Sequence, residues 1–318
     1  MFVVCRFKRI AVVNYLMKPP FRLFLLLLPL LAQWGCKGWE LTDQELASYY
    51  AGKPLKPSFH QVDTLGRSLH YAKMGHDSLP LLFLVHGAPG SWQGYFNLMN
   101  DPELQERFLM ISIDRPGYGK SDYGEALVSI EDQARMMHAI LARYPNNRPI
   151  ILLGRSFGSP IVAQLAADYP DLVDALVMLA PPIDPQLEKY WWFSPLGRWK
   201  YAQKFLPDAV NVATLEKYAH ERELKKLDRK WEKIHKPSTV IQGGKDWIVE
   251  PRNLLFAERK LRNAPLRLVY IAEQDHDIST NRPDLVKKYV LRHHREYHER
   301  KHPKVASNEA IMEAITEE

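Results

Sequence analysis

The chain has 318 residues, enough for one large domain with an insertion. Its 46% hydrophobic and 25% charged residues are ordinary for a soluble globular protein. The net charge of +6 gathers at the two ends and in one internal segment, with no Lys/Arg stripe interleaved with stacking aromatics, which argues against a nucleic-acid partner. The only two cysteines, Cys5 and Cys36, both precede the expected domain, so it has neither a disulfide nor a cysteine-based metal site.

Residues 21–31 are almost wholly apolar, with Lys18 before them and Arg22 near their start. Eleven residues fall short of a bilayer span, which needs about 20, and suit the apolar core of a secretory signal, about 7–15 residues long. Met17 is a natural start for such a segment. It runs into Gln33-Trp34-Gly35-Cys36, and the Gly-Cys junction resembles a bacterial lipoprotein signal with Cys36 as the lipidated residue. Gln33 and Trp34 depart from the small or aliphatic residues usual there. The alternatives are an uncleaved anchor or a cleaved signal with an incidental cysteine. The segment implies export to a bacterial cell envelope, with membrane association through the N-terminus, and residues 1–36 stand outside the fold.

Residues 41–50 read as a short helix capped by Thr42 or Asp43, followed by a linker to residue 57. Residues 59–62 and 68–73 alternate as a hairpin around Leu65-Gly66-Arg67. Residues 81–85 form a buried strand that enters His86-Gly87-Ala88-Pro89-Gly90-Ser91, a loop suited to presenting backbone N–H groups. A strand over 108–113 leads to Asp114-Arg115-Pro116-Gly117, a tight turn in which Asp114 and Arg115 are expected to bond to neighbouring loops rather than to react. An amphipathic helix covers 130–144 and stops at Pro145.

Next comes Ile150-Ile151-Leu152-Leu153-Gly154-Arg155-Ser156-Phe157-Gly158, then a helical pattern from Ile161. This is strand, sharp turn and helix, with a serine at the apex and glycines where strand and helix cross. Ser156 is therefore the candidate nucleophile. A strand over 172–179 follows. Residues 182–235 break the alternation with many aromatics, expected chiefly to pack, and a charged helix over 215–233 whose Glu216, Glu221 and Glu223 are expected to face solvent. Strand 238–242 enters Gly243-Gly244-Lys245-Asp246, and strand 267–271 enters Gln274-Asp275-His276. A closing helix covers 283–299; its His293, His294 and His298, with His302 beyond, read as a basic surface rather than metal ligands. The tail from residue 301 is polar.

Serine, acid and histidine, each after a strand and in that order, resemble the α/β-hydrolase family over residues 58–300. The resemblance implies an α/β fold: a mostly parallel central sheet with helices on both faces. Residues 58–181 and 236–300 would form the core and residues 182–235 a helical cap. It further implies a triad of Ser156 as nucleophile, His276 as base and Asp246 as orienting acid, with Asp184 as the rival acid. The backbone N–H groups of Ala88 and Phe157 would form the oxyanion hole. Gln274-Asp275 stands where the family usually has a glycine before the histidine, and Asp275 and Asp277 are expected to favour the imidazolium.

A serine in place of aspartate argues against epoxide-hydrolase and dehalogenase chemistry. The expected function is a serine hydrolase acting on an ester or related acyl bond of a small molecule, without metal or cofactor. The His86 loop is close to that of proline iminopeptidases, although Phe157 replaces their usual tryptophan. That activity, and a non-catalytic envelope-anchored binding protein, are the alternatives.

Overall fold

The computed structural model describes residues 40–144, 148–190, 200–301 and 311–315. Cys36 and the rest of the N-terminal segment lie outside these residues, as do Trp191, Trp192, Phe193, Trp199 and His302. Among the described residues no helix is long and apolar enough to cross a membrane.

The strands are β1 (Ser58–Thr64), β2 (Arg67–Met74), β3 (Leu81–Val85), β4 (Leu109–Ile113), β5 (Ile150–Arg155), β6 (Ala175–Leu179), β7 (Ser238–Gly243), β8 (Leu266–Ile271) and β9 (Ile311–Ile315). They form one sheet in the order β1-β2-β4-β3-β5-β6-β7-β8-β9. The β1–β2 hairpin is antiparallel and β2 runs antiparallel to β4; the other pairs are parallel. β3 and β5 meet in register from Leu81↔Ile150 to Val85↔Gly154.

Continuous apolar runs form strands here because both faces of the sheet are covered. Along β3, Leu81, Phe83 and Val85 enter one core, and Leu82 and Leu84 the other, as period-two geometry requires. Helices α2 (Ile130–Leu141) and α3 (Gly158–Asp168) fill the first core with Trp231. Helix α1 (Asp43–Tyr49) and the closing helix α6 (Pro283–Lys301) fill the second, with Trp92 and Tyr95. Between β6 and β7 lies α4 (Asp208–Leu227), and α5 (Asn253–Lys260) joins β7 to β8.

Thr42 caps α1 through a capping box: its hydroxyl oxygen accepts from Glu45 N–H, while the Glu45 carboxylate accepts from Thr42 N–H at 2.7 Å. Four expectations shift. Helix α2 ends at Leu141 rather than at residue 144. β6 starts at Ala175, not 172, because Asp174 is spent on the Ile150 amide, its carboxylate accepting at 2.9 Å. Helix α4 spans 208–227 instead of 215–233; it starts directly after Pro207, and a separate turn opens on Trp231, whose side chain is fully buried. The polar tail contains β9, which adds a parallel edge strand to β8.

Candidate active site

β5 delivers Ser156 to the turn before α3 with φ at +50°, in the left-handed region. A side chain there costs about 1–3 kcal/mol, tolerated only when the surroundings fix it. They do: Ser156 N–H donates to Leu179 O at 2.8 Å, and its carbonyl accepts from Ser159 N–H at 2.8 Å. The crossing is tight. A Cβ on Gly154 would lie 2.6 Å from Gly158 O, and one on Gly158 would overlap Val85 O. The glycines flanking the serine are thus sterically required, as the sequence motif predicts.

Asp246 follows β7 and is buried. Its Oδ1 accepts from the amides of Ile248 (2.9 Å) and Val249 (2.8 Å). Its Oδ2 accepts from Gln242 Nε2 at 3.0 Å and from His276 Nδ1 at 2.8 Å. An ionised carboxylate only accepts, so the proton lies on His276 Nδ1 and Nε2 is left for chemistry. A Cβ on Gly243 would overlap Gln274 O, which is how closely the acid and histidine loops pack. The rival Asp184 is elsewhere, accepting from Gln186 N–H and lying 3.5 Å from Arg259.

The residues next to Ser156 and His276 tie their loops together. Arg155 Nη1 donates to Asp277 Oδ1 at 2.9 Å and to Ser279 Oγ at 3.1 Å. Asp277 thus answers Arg155, and Asp275 accepts from Gln274 Nε2 and Asn281 Nδ2. The flanking aspartates expected to act on His276 have partners of their own.

The His86 loop lies against the serine. A Cβ on Gly87 would be 3.0 Å from Ser156 Cβ. Among the described residues, neither Ala88 N–H nor Phe157 N–H donates to another protein group, as an oxyanion hole requires. His86 is fully buried. Its Nε2 accepts from Arg115 N–H at 2.9 Å, so Nδ1 carries the proton and donates to Gly87 O at 2.6 Å. Burial first, then the Arg115 charge, pushes His86 well below the ordinary histidine range, keeping it neutral.

Behind this loop lies a buried ionic network that sequence reasoning underestimated. Arg115 donates from Nε to His86 O at 3.0 Å and from Nη2 to Gly87 O at 2.9 Å. Its Nη1 donates to Glu216 Oε1 at 2.6 Å and to Gln133 Oε1 at 3.0 Å, and its Nη2 to Glu216 Oε2 at 3.1 Å. Tyr118 donates to Glu216 Oε2 at 2.6 Å. The Phe157 ring lies 4.8 Å from the guanidinium. Burial opposes the Arg115 charge, and Glu216 more than offsets it, so the group stays firmly cationic. Arg115 bonds neighbouring loops as expected; Glu216 does not face solvent as expected.

Glu216, His220 and Glu223 are all buried on α4, and of the three glutamates only Glu221 is partly open to solvent. His220 lies 4.5 Å from the Phe157 ring, and its Nδ1 is 2.8 Å from Glu188 Oε1. The readable signal was the stripe Val212, Glu216, Ala219, Glu223, Leu227, which continues one helical face when the helix is started at residue 208. The aromatics also divide unexpectedly. Trp231 packs in the core, but Tyr190, Tyr201 and Phe205 are exposed. Nor is His293 on the surface: it is buried, its Nε2 2.9 Å from Thr239 Oγ1, and burial pushes it down to about 4.

The parallel sheet, the strained serine after β5 and the acid and histidine after β7 and β8 define the α/β-hydrolase fold. Residues 80–224 match the family model described as alpha/beta hydrolase fold. A Bacillus subtilis protein named AB hydrolase superfamily protein YfhM is 28% identical over 123 residues, covering 38% of this chain and 42% of that one. The proline iminopeptidase PfmaB of Pestalotiopsis fici is 24% identical over 281 residues, covering 73% of this chain and 98% of that one. The chain thus spans under half of the first relative and nearly all of the second. The structure of a 2-hydroxy-6-oxo-6-phenylhexa-2,4-dienoate hydrolase from Rhodococcus superimposes with a TM-score of 0.59 at 16% identity, over 76% of this chain and 99% of that one. These likenesses agree with the α/β-hydrolase fold.

Proposed function

We propose that the protein is a serine hydrolase that cleaves an ester or related acyl bond through an acyl-enzyme. One observation carries the reading: His276 is hydrogen-bonded to Asp246, and its own loop is joined by the Arg155–Asp277 ion pair to the residue before Ser156. His276 Nε2 takes the Ser156 proton as Oγ attacks the acyl carbon. The oxyanion accepts from the Ala88 and Phe157 N–H groups. His276 then protonates the leaving group, and water, activated by the same nitrogen, releases the acid and restores the serine. Asp246 holds the tautomer; its other bonds, to two amides and Gln242, fix the carboxylate that does so.

An aminopeptidase is the second reading, favoured by the relative it spans almost completely and by the loop His86-Gly87-Ala88-Pro89-Gly90. The N-terminal segment supports a protein exported to the cell envelope and held at the membrane, with Cys36 as the candidate lipidated residue. Hydrolysis of p-nitrophenyl esters of increasing acyl length, beside prolyl p-nitroanilide, tests the two activities. Saturable ester turnover is expected. Turnover of the anilide alone moves the assignment to the peptidase. Neither, from folded protein, contradicts both and favours a binding protein.

A further inference from the structure

We propose that Arg115 and Glu216 are a positioning pair that sets the oxyanion hole, so that helix α4, inserted between β6 and β7, takes part in stabilising the transition state. The inference rests on the serine-hydrolase reading above. Its starting point is one peptide unit. The Gly87–Ala88 bond is trans, so the Gly87 carbonyl and the Ala88 N–H point in opposite directions. The carbonyl accepts from two buried donors, Arg115 Nη2 at 2.9 Å and His86 Nδ1 at 2.6 Å. Two donors on one oxygen fix the plane of the unit, and with it the direction of the N–H on the other side.

Arg115 controls both donors. Its side chain supplies one, and its backbone N–H sets the tautomer of His86, which supplies the other. Its Nε also fixes the preceding carbonyl, His86 O. The same guanidinium lies against the ring of Phe157, whose amide is the second donor of the hole. One side chain therefore braces both halves of the oxyanion hole.

Glu216 sets that side chain. It takes two nitrogens of the guanidinium, and its own oxygens also accept from Tyr118 and Gln133. Both charges are fully buried. A buried pair of this kind adds little to stability compared with apolar side chains of similar volume. Its geometry instead directs a rigid fork at two successive carbonyls of the His86 loop. Lysine, a single point charge, does not reproduce that fork.

Glu216→Gln and Arg115→Lys test this, with Leu224→Ala as a control. Leu224 is buried on the same helix, so its truncation loosens α4 without touching Arg115. Sites are counted by fluorophosphonate titration. Turnover of a p-nitrophenyl ester, inhibition by a trifluoromethyl ketone and the thermal midpoint are then measured. The ketone forms an oxyanion on Ser156 and so reads the hole directly. Loss of one oxyanion donor costs about 10²–10³ in kcat, so a misaligned donor is expected to cost at least about tenfold per titrated site. KM should stay within about twofold, and ketone affinity should fall in parallel with kcat. Leu224→Ala should lower the midpoint and leave kcat and ketone affinity unchanged.

If the first two variants keep kcat and ketone affinity within about twofold, the pair is structural only and the proposal is overturned. Should either fail to fold, the double variant Arg115→Met/Glu216→Met removes both charges together, and the same two outcomes apply to it. If the wild type neither turns over the ester nor reacts with phosphonate or ketone, the serine-hydrolase reading falls and takes this proposal with it. That result is distinct from a loss confined to the variants.

Discussion

Ser156 stands at a backbone angle that a serine does not choose for itself, and the two hydrogen bonds on its peptide groups hold it there. The strain lifts the hydroxyl to the end of the sheet, where the His276 loop is tied in by Arg155. Asp246→Asn leaves the fold nearly unchanged but offers an amide N–H to His276 Nδ1, selecting the wrong tautomer; kcat is expected to fall by roughly 10⁴-fold with little change in KM. A loss below tenfold in steady-state kinetics would remove Asp246 from the mechanism. Replacing Gly158 by alanine sets a Cβ into Val85 O, and should prevent either folding or phosphonate labelling. These residues were legible in the sequence because each ends a strand and the chemistry fixes its type. Arg115 and Glu216 were half legible. Arg115 shares a loop rich in turn residues, but its partner lies 101 positions away, and no local pattern links the two.

At the scale of elements, α4 shows why a charged helix can still be a buried one. Its glutamates at 216 and 223 read as solvent-facing, yet the helix turns them inward, where Arg115, Gln133 and Tyr118 satisfy Glu216. Glu188, on the segment before α4, follows the same logic. Burial alone would raise its carboxyl; His220, then Lys217, overturn that and hold it at about 2, against an ordinary 4.5. A depressed carboxyl adds stability that is complete above its unfolded value and disappears as the pH falls through its folded one. The difference in unfolding free energy between wild type and Glu188→Gln should therefore be greatest above pH 4.5, about 3 kcal/mol at most, and shrink toward pH 2. Urea titrations across that range check it; a difference independent of pH would contradict it. Strand positions were the most legible elements, since a five-residue apolar run such as 81–85 has no room to be a helix. The start of α4 was missed because its first turns, residues 208–214, carry no charge pattern to announce them.

Across the whole molecule, the sheet divides two apolar cores, and alternate residues of one strand stabilise both. Phe83→Ala, at a fully buried position on a central strand, is expected to cost about 3–5 kcal/mol of stability and to lower the thermal midpoint by several degrees. A change below 1 kcal/mol would mean that the strand is not where the sheet puts it. Every candidate active-site residue lies at position 86 or beyond, apart in sequence from the apolar run at 21–31, so chemistry and membrane attachment should separate. Protein starting at Lys37 should keep full ester turnover and stay in solution with anionic vesicles, whereas the full chain should sediment with them. Equal sedimentation would place attachment in the folded domain. The α/β class and the order of the site were readable from one chain because every strand end carries a marked loop. The antiparallel edge was readable as a hairpin, but β9 was not, because its partner β8 lies 40 residues upstream.

Everything proposed for this protein turns on whether Ser156 is an activated nucleophile. Wild type and Ser156→Ala are treated with a fluorophosphonate at neutral pH and measured by intact mass, and the modified peptide is sequenced. One phosphonyl adduct per chain is expected, located on Ser156 and absent from the variant. A folded wild type that stays unmodified, or an adduct that persists in Ser156→Ala, would contradict this.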